Sequence, residues 1–290
     1  LGMIRRKLRD DYGWTRNPKR YFGVPAVYSL ENVRYVAADG TITCAKPEGD
    51  GAKLDCAQGL GSVVHVTAPF GFAGWRFLRM KDRELGLASL RAFNDWTLEV
   101  WAGSHPGRMI PCQLAWLADP VVAAEEIRKN AARGFTSVSF SENPEKLGLP
   151  SLYSREWDPF FRACEETETV VCLHIGSSSK MPQTTPDAPF IVSSTLTFQN
   201  AMGSLIDYVF SGILERFPRL RIAYSEGQIG WIPYVLERMD KLWHERVDNS
   251  FGSGLKNPPS SYLGDRILGC IFDDETGLAN RDRVGMQRIS

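Results

Sequence analysis

From about residue 60 onward, short apolar runs alternate with longer segments in which apolar residues recur at helical spacing. Six of the runs have the length and composition of buried strands, at residues 61–69, 108–117, 135–140, 170–174, 219–225 and 269–273. The segments between them carry helix signals, such as Asp119 before Pro120 and a closing Gly134. Regular alternation of strands and helices predicts an α/β fold with a parallel sheet.

The number of strands leaves two architectures open. An open doubly wound sheet can stop at six strands, whereas a closed (β/α)8 barrel needs eight. Residues 32–45 alternate about the Asp39–Gly40 pair and predict a β-hairpin rather than two more buried strands. The chain therefore divides into an N-terminal extension, residues 1–60, and an α/β region, residues 61–290.

Composition excludes several classes of partner. Lys plus Arg and Asp plus Glu both number 34, so the chain has no basic footprint for nucleic acid or for an anionic membrane. No apolar stretch approaches the roughly 20 residues of a membrane span. The basic N-terminal stretch has no apolar segment behind it, so it does not predict a secretory signal. Six scattered cysteines without a C-x-x-C pair indicate a reduced, cytoplasmic protein.

Of the four histidines, His174 has the most unusual position. It ends an apolar strand, and after Ile175 come Gly176 and three serines. Ligand sites of parallel α/β folds lie at the carboxyl ends of the strands, where a neutral imidazole can bind a divalent metal. The alternative is a satisfied structural histidine. His65 fits a core strand or a site at the strand end, and His105 and His244 fit a loop and a helix surface.

Carboxylates follow three further strands. Glu142 and Asn143 come after one strand, Glu226 after another, and Asp273 and Asp274 after a third. Because acids after strands are also common helix N-caps, each has a structural interpretation as well as a functional one. The sequence contains no Walker-type, G-x-G-x-x-G, G-x-S-x-G or C-x-x-C motif, which disfavours nucleotide, nicotinamide, serine-hydrolase and zinc-finger chemistry.

From about residue 62 to the C-terminus the sequence resembles the amidohydrolase-related family, whose best-known members are similar to aminocarboxymuconate-semialdehyde decarboxylase. The resemblance is carried by the stretches FNDW (93–96), FSENP (140–144), LHIGSSS (173–179), TPDAP (185–189), 217–240 and 271–286. It implies a (β/α)8 TIM-barrel-like fold of the metal-dependent hydrolase type, with strands two to seven visible and the N-terminal extension packed on the barrel. It also implies one divalent metal, zinc or alternatively manganese, and a homodimer.

Position by position, the resemblance makes His174 the metal-binding histidine that ends the fifth strand. Glu226 stands where decarboxylases of the family have a catalytic histidine, and Gln228 replaces the usual second glycine of that loop. The family's metal-binding pair on the first strand and its aspartate on the eighth have no counterpart in the sequence. We therefore expect a truncated version of a longer chain or, as the alternative, a degenerate member.

These observations predict a metal-dependent hydrolase that acts on a small organic substrate, aromatic or carboxylated, through metal-activated water. His174 is the predicted metal ligand, and Glu226 and Asp274 are the predicted catalytic groups. The predicted substrate-binding residues are Phe72, Trp75, Trp116, Glu142, Asn143 and Trp231. The alternatives are a non-oxidative decarboxylase of the same family, and a metal-free barrel that serves as a binding or structural partner.

Overall fold

A computed structural model describes residues 35–36, 42–43, 74–104, 109–245, 254–271 and 273–285. Its main sheet has five parallel strands, β3 to β7, and a separate antiparallel pair, β1 and β2, precedes it along the chain. The strands are β1 Tyr35–Val36, β2 Ile42–Thr43, β3 Cys112–Leu114, β4 Ser137–Phe140, β5 Val170–His174, β6 Ile222–Ser225 and β7 Ile267–Gly269.

Helices connect the strands of the main sheet. They are α1 Trp75–Leu78, α2 Arg83–Trp96, α3 Pro120–Ala131, α4 Asp158–Glu166, α5 Phe190–Thr195, α6 Gln199–Phe210, α7 Ile213–Arg216, α8 Ile232–Glu245, α9 Glu275–Ala279 and α10 Arg281–Val284. A π-helix, Thr97–Ala102, continues α2, and 3-10 turns lie at Pro144–Leu147, Arg155–Trp157 and Pro259–Tyr262. None of the helices in these residues is long and apolar enough to cross a membrane.

The order of the strands separates the two predicted architectures. β3 to β7 lie side by side in chain order, and every neighbouring pair is parallel. A doubly wound sheet reverses its strand order at a switch point, and these strands contain no such reversal. Consecutive parallel strands joined by helices form an arc of a (β/α) barrel. The predicted strand at 61–69 lies outside the described residues.

In the N-terminal region, Tyr35 pairs with Thr43 and Val36 with Ile42 in an antiparallel arrangement. This pair lies in the segment for which the sequence predicts a hairpin. The boundary near residue 60 and the packing of the extension on the barrel stay predictions.

The two faces of the arc have different environments. Side chains of a strand alternate between faces, and one face of β4 to β6 packs under the helices. Fully buried apolar residues form this face, namely Val138, Phe140, Val171, Leu173, Ile222 and Tyr224. The opposite face carries the small residues Ser139, Cys172 and Ala223, which are paired across neighbouring strands. His174 has the same parity as Cys172, so it belongs to this inner face.

Helix α4 provides the centre of the core. Trp157, just before this helix, and Phe160, Phe161 and Cys164 on it are all 1% exposed or less. The ring of Phe140 on β4 stacks on Phe160, with a centroid distance of 4.7 Å. This cluster fixes β4 and β5 against the helical layer and thereby sets the edge at which their carboxyl ends meet.

Candidate active site

The carboxyl ends of β5 and β6 bring His174 and Glu226 together. His174 pairs with Ser225 in the sheet register, and Glu226 follows Ser225 directly. Nε2 of His174 lies 3.5 Å from Oε1 of Glu226, and their side chains are 23% and 54% exposed. The two residues that sequence patterns favoured most for chemistry are therefore neighbours on the predicted edge.

The other ring nitrogen of His174 is held by the backbone. Nδ1 lies 2.7 Å from the carbonyl oxygen of Ile175. Because a carbonyl oxygen only accepts hydrogen bonds, Nδ1 carries the proton. In the neutral ring, Nε2 then presents a lone pair towards the Glu226 carboxylate. Two lone-pair atoms that face each other favour a proton or a metal cation between them.

The geometry of this pair fits a divalent metal. Two ligand atoms, each about 2.1 Å from a zinc ion and at a tetrahedral angle, lie roughly 3.4 Å apart. The observed separation of Nε2 and Oε1 is 3.5 Å. Within the described residues, no group of three or more His, Cys, Asp or Glu side chains is placed to hold a metal. The pair presents two donor atoms of the kind that bind divalent metals.

The backbone of the loop that carries Glu226 is unusual. Glu226 and Gln228 both have a φ of 56°, in the left-handed region that favours glycine. A residue with a Cβ pays roughly 1–2 kcal/mol for that conformation. Strain of this kind persists where the surrounding structure determines the conformation, and it concentrates at functional sites.

Glu142, at the carboxyl end of β4, is a buried carboxyl group. Its residue is 1% exposed, and neither carboxyl oxygen has a partner in normal hydrogen-bond geometry. Burial raises the pKa of Glu142 to about 8, while the nearby backbone N–H of Gly176 and the charge of Lys146 act in the opposite direction. Glu142 is therefore mostly protonated at pH 7, and its O–H can donate a hydrogen bond.

Polar contacts join Glu142 to the loop after His174. The backbone N–H of Glu142 donates to Oγ of Ser177 at 2.9 Å, and Oγ of Ser141 donates to the Ser177 carbonyl at 3.0 Å. Asn143 is 4% exposed, and its Oδ1 also has no hydrogen-bond partner. The structure thus brings Glu142 and Asn143 next to the loop that begins at His174.

A second polar group, which sequence patterns did not single out, supports the same loop. Nζ of Lys146 donates to Oδ1 of Asn200 at 2.6 Å. Nδ2 of Asn200 donates to Oγ of Ser178 at 2.8 Å and to the carbonyl of Lys180 at 2.9 Å. Asn200 lies inside a helical pattern that does not distinguish it from its neighbours. Its burial in the structure, where it is 3% exposed, is what marks it as a residue that supports the site.

The predicted aromatic pocket residues have different environments. Trp75 is half-buried, and it lines a cavity of about 420 Å³ together with Leu147 and Leu149. Trp231 packs edge-on against Tyr224, and its Nε1 donates to the Gly227 carbonyl at 2.8 Å. Phe72 lies outside the described residues.

Trp116 belongs to the core rather than to a pocket. It is 5% exposed and packs with Leu90 and Leu114 between β3 and α2. The indole of Trp116 is therefore a packing residue between these two elements and does not line a pocket.

Asp274 is a capping residue in the structure. Its Oδ1 accepts from the backbone N–H of Gly277 at the start of α9, at 2.7 Å. Its Oδ2 accepts from the N–H groups of Ile229 and Gly230, both at 2.7 Å. A carboxylate that accepts three backbone hydrogen bonds has little capacity left for proton transfer, so this geometry disfavours the predicted catalytic role.

Of the remaining histidines, His244 lies within the described residues. His244 is exposed in the last turn of α8, with its ring edge against Trp243 at a centroid distance of 5.0 Å. His65 and His105 lie outside the described residues.

A parallel arc of strands with ionisable residues at its carboxyl edge is typical of barrel enzymes. The sequence profile of the amidohydrolase family matches residues 65–268, well over half of the chain. The chain therefore belongs to the amidohydrolase family, as the sequence resemblance implies.

Solved structures share the fold of this chain. An amidohydrolase from Mycobacterium avium subsp. paratuberculosis K-10 is similar with a TM-score of 0.56 and 22% identity, over 72% of this chain and 54% of that one. A 5-carboxyvanillate decarboxylase from Novosphingobium aromaticivorans, solved with manganese and a nitrobenzoic acid, is similar with a TM-score of 0.58 and 21% identity. That match covers 73% of this chain and 61% of the decarboxylase. The fold is of the (β/α)8 barrel type, and the chain spans about half the length of the first of these proteins.

A short segment of the chain is also similar to a protein of a different kind. The tRNA threonylcarbamoyladenosine dehydratase of Escherichia coli K12 is 41% identical over 70 residues, which are 24% of this chain and 26% of that protein. Since only about a quarter of the dehydratase is covered, we transfer none of its activity to this chain.

Proposed function

We propose that this chain forms a metal-dependent hydrolase site that acts on a small, carboxylated aromatic substrate. The observation that carries the proposal is the His174–Glu226 pair, 3.5 Å apart on the inner, carboxyl edge of an amidohydrolase barrel. A divalent metal bound there would supply a Lewis acid and lower the pKa of a bound water towards about 7.

The chain's own residues have distinct roles in this proposal. His174 is held in one tautomer by the Ile175 carbonyl, so that Nε2 is the ligating atom. Glu226, half-exposed beside it, is the second ligand or the base that receives a proton from the attacking water. Glu142, neutral at pH 7 because of its burial, can donate a hydrogen bond to a substrate carboxylate or carbonyl.

The cavity beside Trp75 suggests the class of substrate. It is about 420 Å³ in volume and is lined by Trp75, which precedes β3, and by Leu147 and Leu149, which follow β4. Its remaining lining includes three cationic residues, Arg79, Lys81 and Arg83. An aromatic wall with a cationic rim complements an aromatic acid.

Non-oxidative decarboxylation is the second candidate reaction. It is favoured by the similarity to a decarboxylase whose structure was solved with manganese and a substituted benzoic acid. Glu226 stands where decarboxylases of this kind are expected to have a histidine, and that difference is our reason for ranking hydrolysis first. For the metal we propose zinc, with manganese as the alternative that this relative supports. A homodimer and a cytoplasmic location complete the proposal.

Metal content tests the proposal most directly. We expect about one zinc or manganese per chain by elemental mass spectrometry after repletion, with intact mass measured on the same sample. His174→Ala should lose the metal, whereas His244→Ala, which changes an exposed histidine on α8, should retain it. A wild-type chain that binds neither metal after repletion would overturn the proposal and favour the metal-free binding protein.

The reaction type needs a second measurement. The metal-loaded protein is incubated with aromatic acids and with their esters and amides, and the products are identified by mass spectrometry. Release of carbon dioxide from the acids would favour decarboxylation, and cleavage of the esters or amides would support hydrolysis.

A further inference from the structure

The loop after β6, residues 226–230, carries Glu226, whose carboxylate faces His174. Glu226 is 54% exposed, so packing around its own side chain does little to orient it. Its direction is set by the backbone, which is left-handed at both Glu226 and Gln228. Whatever fixes this backbone therefore also fixes the distance between Glu226 and His174.

Asp274 contacts this loop through both of the loop's N–H groups at residues 229 and 230. Its Oδ2 accepts the backbone N–H groups of Ile229 and Gly230, each at 2.7 Å. Its Oδ1 accepts the N–H of Gly277 at 2.7 Å, so the same carboxylate joins the β6 loop to the start of α9. Hydrogen bonds between N–H groups and an ionised carboxylate are stronger than those between neutral groups.

Two glycines make room for this carboxylate. A Cβ added at Gly230 would lie 2.7 Å from Oδ1 of Asp274, and a Cβ at Gly277 would collide with Oδ2. The stretches GQIGW and DDETG are thus complementary, because each supplies N–H donors and a glycine that lets the carboxylate approach. Because the two segments fit each other in this way, the contact between them is specific.

Gln228 adds a second tie between the same two segments. Its Nε2 donates to the carbonyl of Asp273 at 2.7 Å, and its backbone N–H donates to the carbonyl of Cys270 at 3.1 Å. The residue is 6% exposed. The glutamine that departs from the family pattern therefore anchors the loop to the segment after β7.

We propose that Asp274 is a positioning residue that holds Glu226 at its distance from His174. Asp274 acts through the backbone of residues 226–230 and does not itself contact the reacting groups. The proposal rests on the function proposed above, since it assigns Glu226 to the metal. It replaces the catalytic role that the sequence pattern suggested for Asp274.

A double-mutant cycle on zinc affinity tests this role. The variants are Asp274→Asn, Glu226→Ala and the two together, with Asp273→Asn as the matched control because its side chain is exposed. Affinity for zinc alone is measured by competition with a chromophoric chelator. We expect Asp274→Asn to weaken zinc binding by about tenfold or more, and Asp273→Asn to leave it unchanged. The double variant should bind zinc no more weakly than Glu226→Ala, because Asp274 acts through Glu226.

Losses that add fully in the double variant would overturn the positioning role and indicate general destabilisation. Circular dichroism verifies that each variant is folded. Where Asp274→Asn does not fold, Gly230→Ala replaces it, since that Cβ disturbs the same carboxylate. With Gly230→Ala in place of Asp274→Asn, the double-mutant cycle should give the same result: weaker zinc binding that is not additive with Glu226→Ala.

Hydrogen exchange on the metal-free protein separates this proposal from the proposed function. Asp274→Asn should speed the exchange of the Ile229 and Gly230 amides, and Asp273→Asn should not. Unchanged protection of these two amides would overturn the anchoring. If the wild-type chain binds no zinc, the proposed function fails, and exchange alone then decides whether Asp274 fixes the loop.

Discussion

Replacing Glu142 with glutamine should stabilise this protein at neutral and alkaline pH. The carboxyl group is buried, has no hydrogen-bond partner and keeps its proton up to a pKa of about 8. In the unfolded chain the same group ionises near 4.5. Between these values the unfolded state binds fewer protons than the folded state, so stability falls as the pH rises.

The size of the effect follows from the two pKa values. Each pH unit between 4.5 and about 8 removes about 1.4 kcal/mol from the free energy of unfolding. The loss reaches about 3 kcal/mol at pH 7 and levels off at roughly 5 kcal/mol above pH 8. Glutamine has a similar shape and does not titrate, so Glu142→Gln should escape this loss. Below about pH 5 the two proteins should be nearly equal in stability.

Urea unfolding at pH 5, 7 and 9, followed by circular dichroism, measures this difference. Glu145→Gln is the matched control, because Glu145 is exposed in the same loop and should leave the pH profile of the wild type unchanged. Parallel profiles for the wild type and Glu142→Gln would refute the reasoning. That result would mean that an ion or a buried water compensates the ionised carboxylate of Glu142.

Three further predictions concern the fold and the site. Asn94 is 1% exposed, and its side-chain amide pairs with both the N–H and the carbonyl of Leu114, at 2.8 and 3.1 Å. Asn94→Ala should therefore lower the free energy of unfolding by about 2–4 kcal/mol in urea titrations. An unchanged unfolding midpoint would contradict this prediction. Trp116→Ala should lower the free energy of unfolding by about 3–5 kcal/mol but leave the affinity for aromatic acids unchanged. Trp75→Ala should weaken that affinity in calorimetric titrations. The reverse pattern would show that the assignment of the two residues to core and pocket is wrong. Removal of the metal with a chelator should abolish turnover, and added zinc or manganese should restore it, as followed by product mass spectrometry.

The sequence predicted the order and type of the strands better than their ends. The apolar run at 219–225 is a strand only from Ile222, and the run at 269–273 corresponds to a strand that ends at Gly269. A strand is defined by pairing with its neighbours, whereas apolar residues can continue into packed loops. Ile271 illustrates this, because its side chain packs on a small cluster around Ile229 and Ile232 outside the sheet.

Helix α2 shows why a periodic pattern can fail within a correctly predicted element. Leu87, Leu90, Trp96 and Val100 lie near helical spacing, which predicts that they share a buried face. Leu90 is fully buried, but Trp96 is 37% and Val100 55% exposed, and Thr97 is buried instead. The change occurs where α2 continues as a π-helix, whose wider turns shift the buried face. Nothing in the local sequence marks this change of helix type.

The candidate site was predictable to the extent that strand ends determine it. Because parallel strands end at one edge, the pattern placed His174 and the acids after neighbouring strands on that edge. The pattern could not rank the acids, since each one follows a strand and precedes a turn. The ranking depends on how many backbone N–H groups each carboxylate meets. Asp274 meets three, Glu142 meets none in hydrogen-bond geometry, and Glu226 faces His174 instead.

These three environments suit the carboxyl groups of Asp274, Glu142 and Glu226 to three different roles. A carboxylate that accepts three backbone N–H groups is held rigidly, which suits Asp274 to positioning. A buried carboxyl without donors stays protonated at neutral pH, which suits Glu142 to donating a hydrogen bond. A half-exposed carboxylate beside a tautomer-fixed imidazole can share a cation with it, which suits Glu226 to metal binding or proton transfer. The loop backbone after each strand determines these environments, and for this reason the acids that sequence patterns treat as equivalent have separate roles.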